Sequence, residues 1–279
     1  MDWFKGAVDY VDDWFLMSTP WTLFAIWIVY ITFVLKWGPS YMSTRPAYKL
    51  KNTLALYNLF QVGLSCYIVY MGTYIMSREG LVSSHCAIEA KETEHYMVRG
   101  VYIYFLAKMS ELLDTVFFVL RKKMNQVSFL HVYHHSLMVI STWFALKYNP
   151  TDVLIFLGTL NSFVHVIMYG YYGLSAYPSM TKYLWWKKYI TSFQLIQFGC
   201  ITLHAFTSTF VSNCKTSFVL LITIFFNLGL MIYLFRDFYI KSYVKNESNG
   251  NKKLDIRRLS HSFITSLNEP SRSDETKSM

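Results

Sequence analysis

Charge is scarce in this chain. Asp, Glu, Lys and Arg make up 15% of its 279 residues, against about 25% in an ordinary soluble domain. That deficit argues against a conventional soluble enzyme with a solvated surface. Proline is sparse as well, and Pro20, Pro150 and Pro178 fall only at the ends of apolar runs. Transporters usually carry Gly- or Pro-broken spans at matched positions in two halves, so that class finds little support. The four cysteines are too few for a disulfide scaffold. A cleavable leader is not expected either: residues 1–13 carry four Asp and one Lys where a signal peptide has a basic n-region.

What replaces charge is apolar length. The chain is 53% hydrophobic and 19% aromatic, with uncharged runs such as Trp14–Leu35, Asn52–Ser77 and Tyr189–Cys214. Each exceeds the ~20 residues needed to cross ~30 Å of hydrocarbon. Seven spans are predicted, over 15–35, 53–77, 100–120, 127–146, 153–174, 189–211 and 217–235. The fold class is therefore an all-α integral membrane protein. If the first span ends in the cytosol, 19 of the 26 Lys and Arg residues fall in cytosolic segments. That bias predicts a lumenal N-terminus (1–14), a transmembrane domain (15–245) and a cytosolic tail (246–279). The tail is Ser- and Lys-rich without apolar period and is expected to be disordered.

The net charge of +9 is accounted for by orientation and predicts no nucleic-acid partner. Two tight clusters, Arg121, Lys122 and Lys123, and Lys187 with Lys188, are candidates for holding substrate phosphates. Cys66 and Cys200 read as small buried apolar residues. Cys86 and Cys214 fall in two loops on the non-cytosolic side, where an oxidising lumen would permit a disulfide.

A few polar groups stand out against this background. Lys108, Glu111 and Asp114 sit inside the third span, where a charge at the helix centre costs on the order of 2.5–3.5 kcal/mol by insertion scales. At ~100° per residue they share one face with Thr115. His131, His134 and His135 cluster on the fourth span; Asn161, His165, Met168, Tyr169 and Tyr172 form a stripe on the fifth; Thr191, Gln194 and Gln197 form one on the sixth. Singly, each has a bland reading: a self-neutralised ion pair, a hydrogen-bonded core histidine, interhelical amide glue. Together they lie at similar depth and require a common polar interior. An intramembrane chemical site follows, in the half of the bilayer expected to be cytosolic.

Two chemistries compete for the histidines. A di-iron oxygenase needs about eight imidazoles in three boxes, but only four of the eight histidines lie near the site. A single metal is not excluded by that count. The alternative uses imidazole as base or nucleophile. Here the resemblance becomes specific. Lys108-Met-Ser-Glu111-Leu-Leu-Asp114-Thr115 resembles the KxxExxDT motif of the animal and yeast fatty acid elongases. His131-Val-Tyr-His134-His135 is similar to their HxxHH box, residues 165–172 to HxxMYxYY, and residues 191–197 to TxxQxxQ. The four motifs occur in order, each on its expected span.

The resemblance implies a very-long-chain 3-oxoacyl-CoA synthase of the endoplasmic reticulum, an acyltransferase that joins long-chain acyl-CoA to malonyl-CoA. It implies six of the seven helices ringed around an acyl tunnel, no metal and no cofactor beyond the substrates. Partners would be the reductase and dehydratase of the elongation cycle, with a homo-oligomer left open. His134 is the preferred nucleophile, with His131, His135, His165, Lys108, Glu111 and Asp114 completing the catalytic group. Asn161, Tyr169, Tyr172, Gln194 and Gln197 would bind substrate with the basic clusters. Direct condensation with histidine as general base is the rival route. A dilysine-type retrieval signal is incomplete, since only Lys277 stands near the end. Gln126 and Tyr133 resemble branches acting on longer or polyunsaturated chains.

Overall fold

The computed structural model describes residues 6–82, 93–148, 152–211 and 218–244. Among these there are no strands. The helices are α1 (Pro20–Thr32), α2 (Gly38–Ser43), α3 (Lys51–Glu79), α4 (Glu94–Leu120), α5 (Phe129–Tyr148), α6 (Asp152–Ser175), α7 (Lys187–Val211) and α8 (Phe218–Tyr239). A helix stands at each of the seven predicted spans.

The first span is the most irregular. Pro20 opens α1 at a position whose N–H has no helical acceptor, and Thr19 before it is extended. Pro39 then falls inside the continuing helix, where its ring clashes with the preceding turn and removes a hydrogen bond. The chain absorbs this by widening into a π-helical turn, Phe33–Trp37, before α2 resumes. The span was expected to start at residue 15, but residues 15–19 belong to a segment folded back against the bundle.

Four helices are long and apolar enough to cross a membrane on length and composition: Pro20–Ser43, Lys51–Glu79, Val153–Ser175 and Leu221–Val244. α4, α5 and α7 fall short of that threshold. They are the helices that carry Lys108, Glu111, Asp114, the His131–His135 cluster and Gln194 with Gln197. Ile28, Val29, Leu59, Phe60, Ile196 and Leu203 point outward and are exposed, as expected of a surface that meets lipid. Cys66 and Cys200 are exposed free thiols rather than the buried apolar residues predicted. They lie on outward faces, and in a membrane an outward small apolar residue loses nothing by facing hydrocarbon. Cys86 and Cys214, and the 246–279 tail, lie outside the described residues.

The described residues up to Phe235 form one compact unit and those from Arg236 onward a second. In the first, Leu23 and Tyr30 of α1 and Val34 of the π turn pack into a core with Met97, Val101 and Phe105 of α4 and Val139 and Trp143 of α5. α3 meets α6 closely: a Cβ on Gly72 would collide with the Thr159 hydroxyl. α6, α7 and α8 join through Leu157, Phe198, Ile201, Leu228 and Met231. Tyr133 of α5 donates to Asn227 Oδ1 of α8 at 3.0 Å. The contacts thus run α3–α4–α5–α8–α7–α6 and back to α3, a closed circuit of six helices. In the second unit, Arg236–Val244 finishes α8 and enters a π turn, with Lys241 paired to Asp237 at 2.7 Å.

Candidate active site

The third-span charges do not face each other by accident of spacing. Lys108 and Glu111 are three residues apart on one helix face, and Lys108 Nζ donates to both Glu111 oxygens, at 2.8 and 3.0 Å. Its third partner comes from α6: Asn161 Oδ1, at 2.8 Å. Tyr104, one turn before Lys108, donates to the same oxygen at 3.0 Å and sets its ring 4.8 Å from the cation. Two donors on Oδ1 fix which way the Asn161 amide points, so its NH2 is directed away from them. His165, one turn further along α6, places Nδ1 3.0 Å from Glu111 Oε1. With Nδ1–H donating to that carboxylate, Nε2 becomes the basic nitrogen. Lys108, Glu111 and His165 are all buried.

Asp114 is satisfied separately. Tyr169 is fully buried and donates to Asp114 Oδ2 at 2.7 Å. Tyr57 of α3 supports the Tyr169 ring edge-on at 6.2 Å and is held by Gln61 Nε2 at 3.0 Å. The polar face is therefore two linked sites. Thr115, placed on the same face by the helical wheel, turns instead to α1 and hydrogen-bonds Tyr30 at 2.8 Å. The arc was wide enough to face two neighbours.

The histidine box lies on the adjacent helix. The His131 and His135 rings are 4.3 Å apart, and His134 meets His135 edge-on at 5.4 Å. His131 Nε2 is buried without a hydrogen-bond partner. His134 lines a narrow cavity of about 130 Å³ with Asn161, Gln197 and Asn227. The rest of the wall is mainly apolar: Leu137, Met138, Leu157, Phe198, Ile201 and Leu228. Along α5 it extends from His134 to Ala145, roughly 16 Å at 1.5 Å per residue. The His134 imidazole and the Asn161 and Gln197 amides thus line a cavity whose wall is otherwise mainly apolar.

Gln197 is buried in that wall, and its Oε1 has no hydrogen-bond partner. Gln194 donates to Met168 Sδ at 3.6 Å, a tie between α7 and α6. Tyr172 is exposed, its ring 6.3 Å from Tyr169. Arg121 and Lys188 are half-buried and Lys122, Lys123 and Lys187 exposed, at the end of α4 and the start of α7. None of these five belongs to the buried network. Among the described residues, no three His, Cys, Asp or Glu side chains converge as a metal cluster. Tyr57, Gln61 and Tyr104 were not anticipated. Tyr104 had a signal, being four residues before Lys108 on the same face; Tyr57, one of 22 tyrosines, and Gln61 had none.

Fold and site together define a polytopic helical membrane protein with a buried imidazole–carboxylate–lysine centre over an apolar slot. A family model described as ELO, the GNS1/SUR4 family, matches residues 15–251. Rat (Rattus norvegicus) very long chain fatty acid elongase 7 is 38% identical over 264 residues, covering 90% of this chain and 93% of the relative. Mouse (Mus musculus) very long chain fatty acid elongase 2 is 40% identical over 256 residues, covering 91% and 86%. Human (Homo sapiens) elongase 1 is 38% identical over 252 residues, covering 87% and 88%. The chain belongs to the ELO family.

Proposed function

We propose that this protein is a fatty acid elongase of the condensing type, a 3-oxoacyl-CoA synthase. It would join a long-chain acyl-CoA to malonyl-CoA, giving 3-oxoacyl-CoA, CO2 and CoA. The observation that carries this reading is that His134 and Asn161 line the same mainly apolar cavity between the helices.

In the first half, the His134 imidazole attacks the thioester carbonyl. The carbon–sulfur bond breaks, an acyl-imidazole forms, and CoA leaves with a proton on sulfur. In the second, malonyl-CoA loses CO2 and the electrons of that bond become an enolate. The enolate carbon attacks the acyl carbon, the carbon–nitrogen bond breaks, and the imidazole is restored. Overall one proton is consumed, and it ends on CoA. The Asn161 NH2, aimed by Lys108 and Tyr104, supports an oxyanion-stabilising role. Glu111 would hold the His165 tautomer, and Lys108 would balance Glu111 in the low-dielectric interior. His131 and His135 would orient His134. No metal or redox cofactor enters this scheme.

The remaining assignments rest on the same reading. The 19 Lys and Arg in alternate segments support a lumenal N-terminus and a cytosolic C-terminus, and membership of the ELO family supports a place in the endoplasmic reticulum. Arg121, Lys122, Lys123, Lys187 and Lys188, at the helix ends on the His134 side, would meet CoA phosphates. A reductase and a dehydratase would consume the 3-oxo product.

The test uses purified protein in detergent with malonyl-CoA and acyl-CoAs of graded length. Mass spectrometry should find a 3-oxoacyl-CoA longer by two carbons without NADPH, and His134→Ala should abolish it while staying folded. Turnover by His134→Ala would remove His134 from the nucleophile role. No product from folded wild-type protein would overturn the condensing reading.

A further inference from the structure

The end of the bundle where α4 begins and α5 finishes carries a second recess, remote from His134. It is an open recess of about 530 Å³, lined by Tyr10, Trp14 and Phe15 of the N-terminal segment and by His95, Arg99 and Tyr102 of α4. Its aromatic wall is continuous. The Tyr10 and Trp14 rings are 5.6 Å apart, Trp14 and Tyr102 4.6 Å, and Tyr10 and His95 5.8 Å. Tyr10 donates to Glu94 Oε1 at 3.5 Å, which brings a carboxylate to the aromatic side. Burial and the Glu94 charge hold the Tyr10 hydroxyl above the usual phenol range, so it remains a donor. Arg99 and His95, one helical turn apart on α4, share a face that adjoins this wall through His95. Among the described residues no carboxylate forms an ion pair with Arg99.

The recess thus joins two kinds of group side by side. Tyr and Trp faces beside a carboxylate attract a quaternary or primary ammonium. A guanidinium with an imidazole beside it suits a phosphate. The surroundings set its depth: Phe15, Trp21, Tyr74 and Tyr96 are exposed around the same end, the pattern of an aromatic belt at the membrane–water interface.

We propose that this recess binds the headgroup of a zwitterionic phospholipid, its phosphate on Arg99 and His95 and its ammonium on the Tyr10–Trp14–Tyr102 face. The bound lipid bridges the N-terminal segment to α4 and is supplied by the bilayer. The site is independent of the condensing chemistry.

Native mass spectrometry of the full-length protein, loaded from nanodiscs of phosphatidylcholine or phosphatidic acid, tests this. Wild-type protein should retain phosphatidylcholine in preference to phosphatidic acid. Arg99→Gln and Trp14→Leu should each retain it roughly tenfold less. Arg99 is exposed, so its substitution leaves the core intact and the result is interpretable even if the Trp14 variant does not fold. Equal retention by Arg99→Gln and wild type would overturn the site. Equal retention of phosphatidic acid would overturn the zwitterionic reading. Displacement of the lipid by equimolar glycerophosphocholine would overturn the assignment to the bilayer.

Discussion

Lys108 is a buried cation with three oxygen partners, two from Glu111 and one from Asn161. Its removal leaves a buried carboxylate facing only His165. Lys108→Met should therefore destabilise the protein by about 3–5 kcal/mol, seen as a lower Tm in detergent. Asn161→Ala has a different signature. Losing one aimed donor should lower kcat by about 10²–10³-fold with little change in KM for acyl-CoA; a KM effect alone would mark Asn161 as a binding residue. The charged and histidine members of this site were legible in the sequence because polar groups at bilayer depth are rare. Their aromatic supports were less so: Tyr104 had only its four-residue offset from Lys108, and Tyr57 looks like any of 22 tyrosines. Nor could a wheel tell that Thr115 answers Tyr30 across a different interface.

At the scale of elements, α3 and α6 approach so closely that glycine is required at 72. Gly72→Ala should cost about 1–3 kcal/mol by overpacking, and adding Thr159→Ala should recover part of the loss in Tm. An unaffected Tm in the single variant would mean that the helices can separate without penalty. A helix stands at each predicted span because hydrophobic length is a local property, although only four are apolar and long enough to cross a membrane on composition alone. Their ends were less legible. The start of α1 moves to Pro20 because residues 6–18 find partners on other helices, and the π turn at Phe33–Trp37 follows from Pro39.

For the molecule as a whole, the N-terminal segment is part of the fold. Lys147 is fully buried, 2.6 Å from Asp12 Oδ1, and donates to Met17 O at 2.6 Å. Trp143 Nε1 donates to Leu16 O at 2.7 Å. The sequence shows Lys147 only as one more charge just beyond a span, because its partner lies 135 residues away. Asp12 is partly exposed and Lys147 is not, so the two ends of this pair differ. Asp12→Ala strands a buried cation and should cost about 3–5 kcal/mol. Lys147→Met leaves a carboxylate that water reaches and should cost less. Thermal unfolding of the two variants in detergent gives the order, and the reverse order would contradict this account.

The condensing reading puts the acyl group on His134. Purified protein given a long-chain acyl-CoA and no malonyl-CoA should release CoA and gain the acyl mass, mapped by peptide mass spectrometry to His134. The His134→Ala variant should do neither. A wild-type protein that binds acyl-CoA, releases no CoA and gains no mass, yet makes 3-oxoacyl-CoA once malonyl-CoA is added, would contradict the covalent route and establish direct condensation.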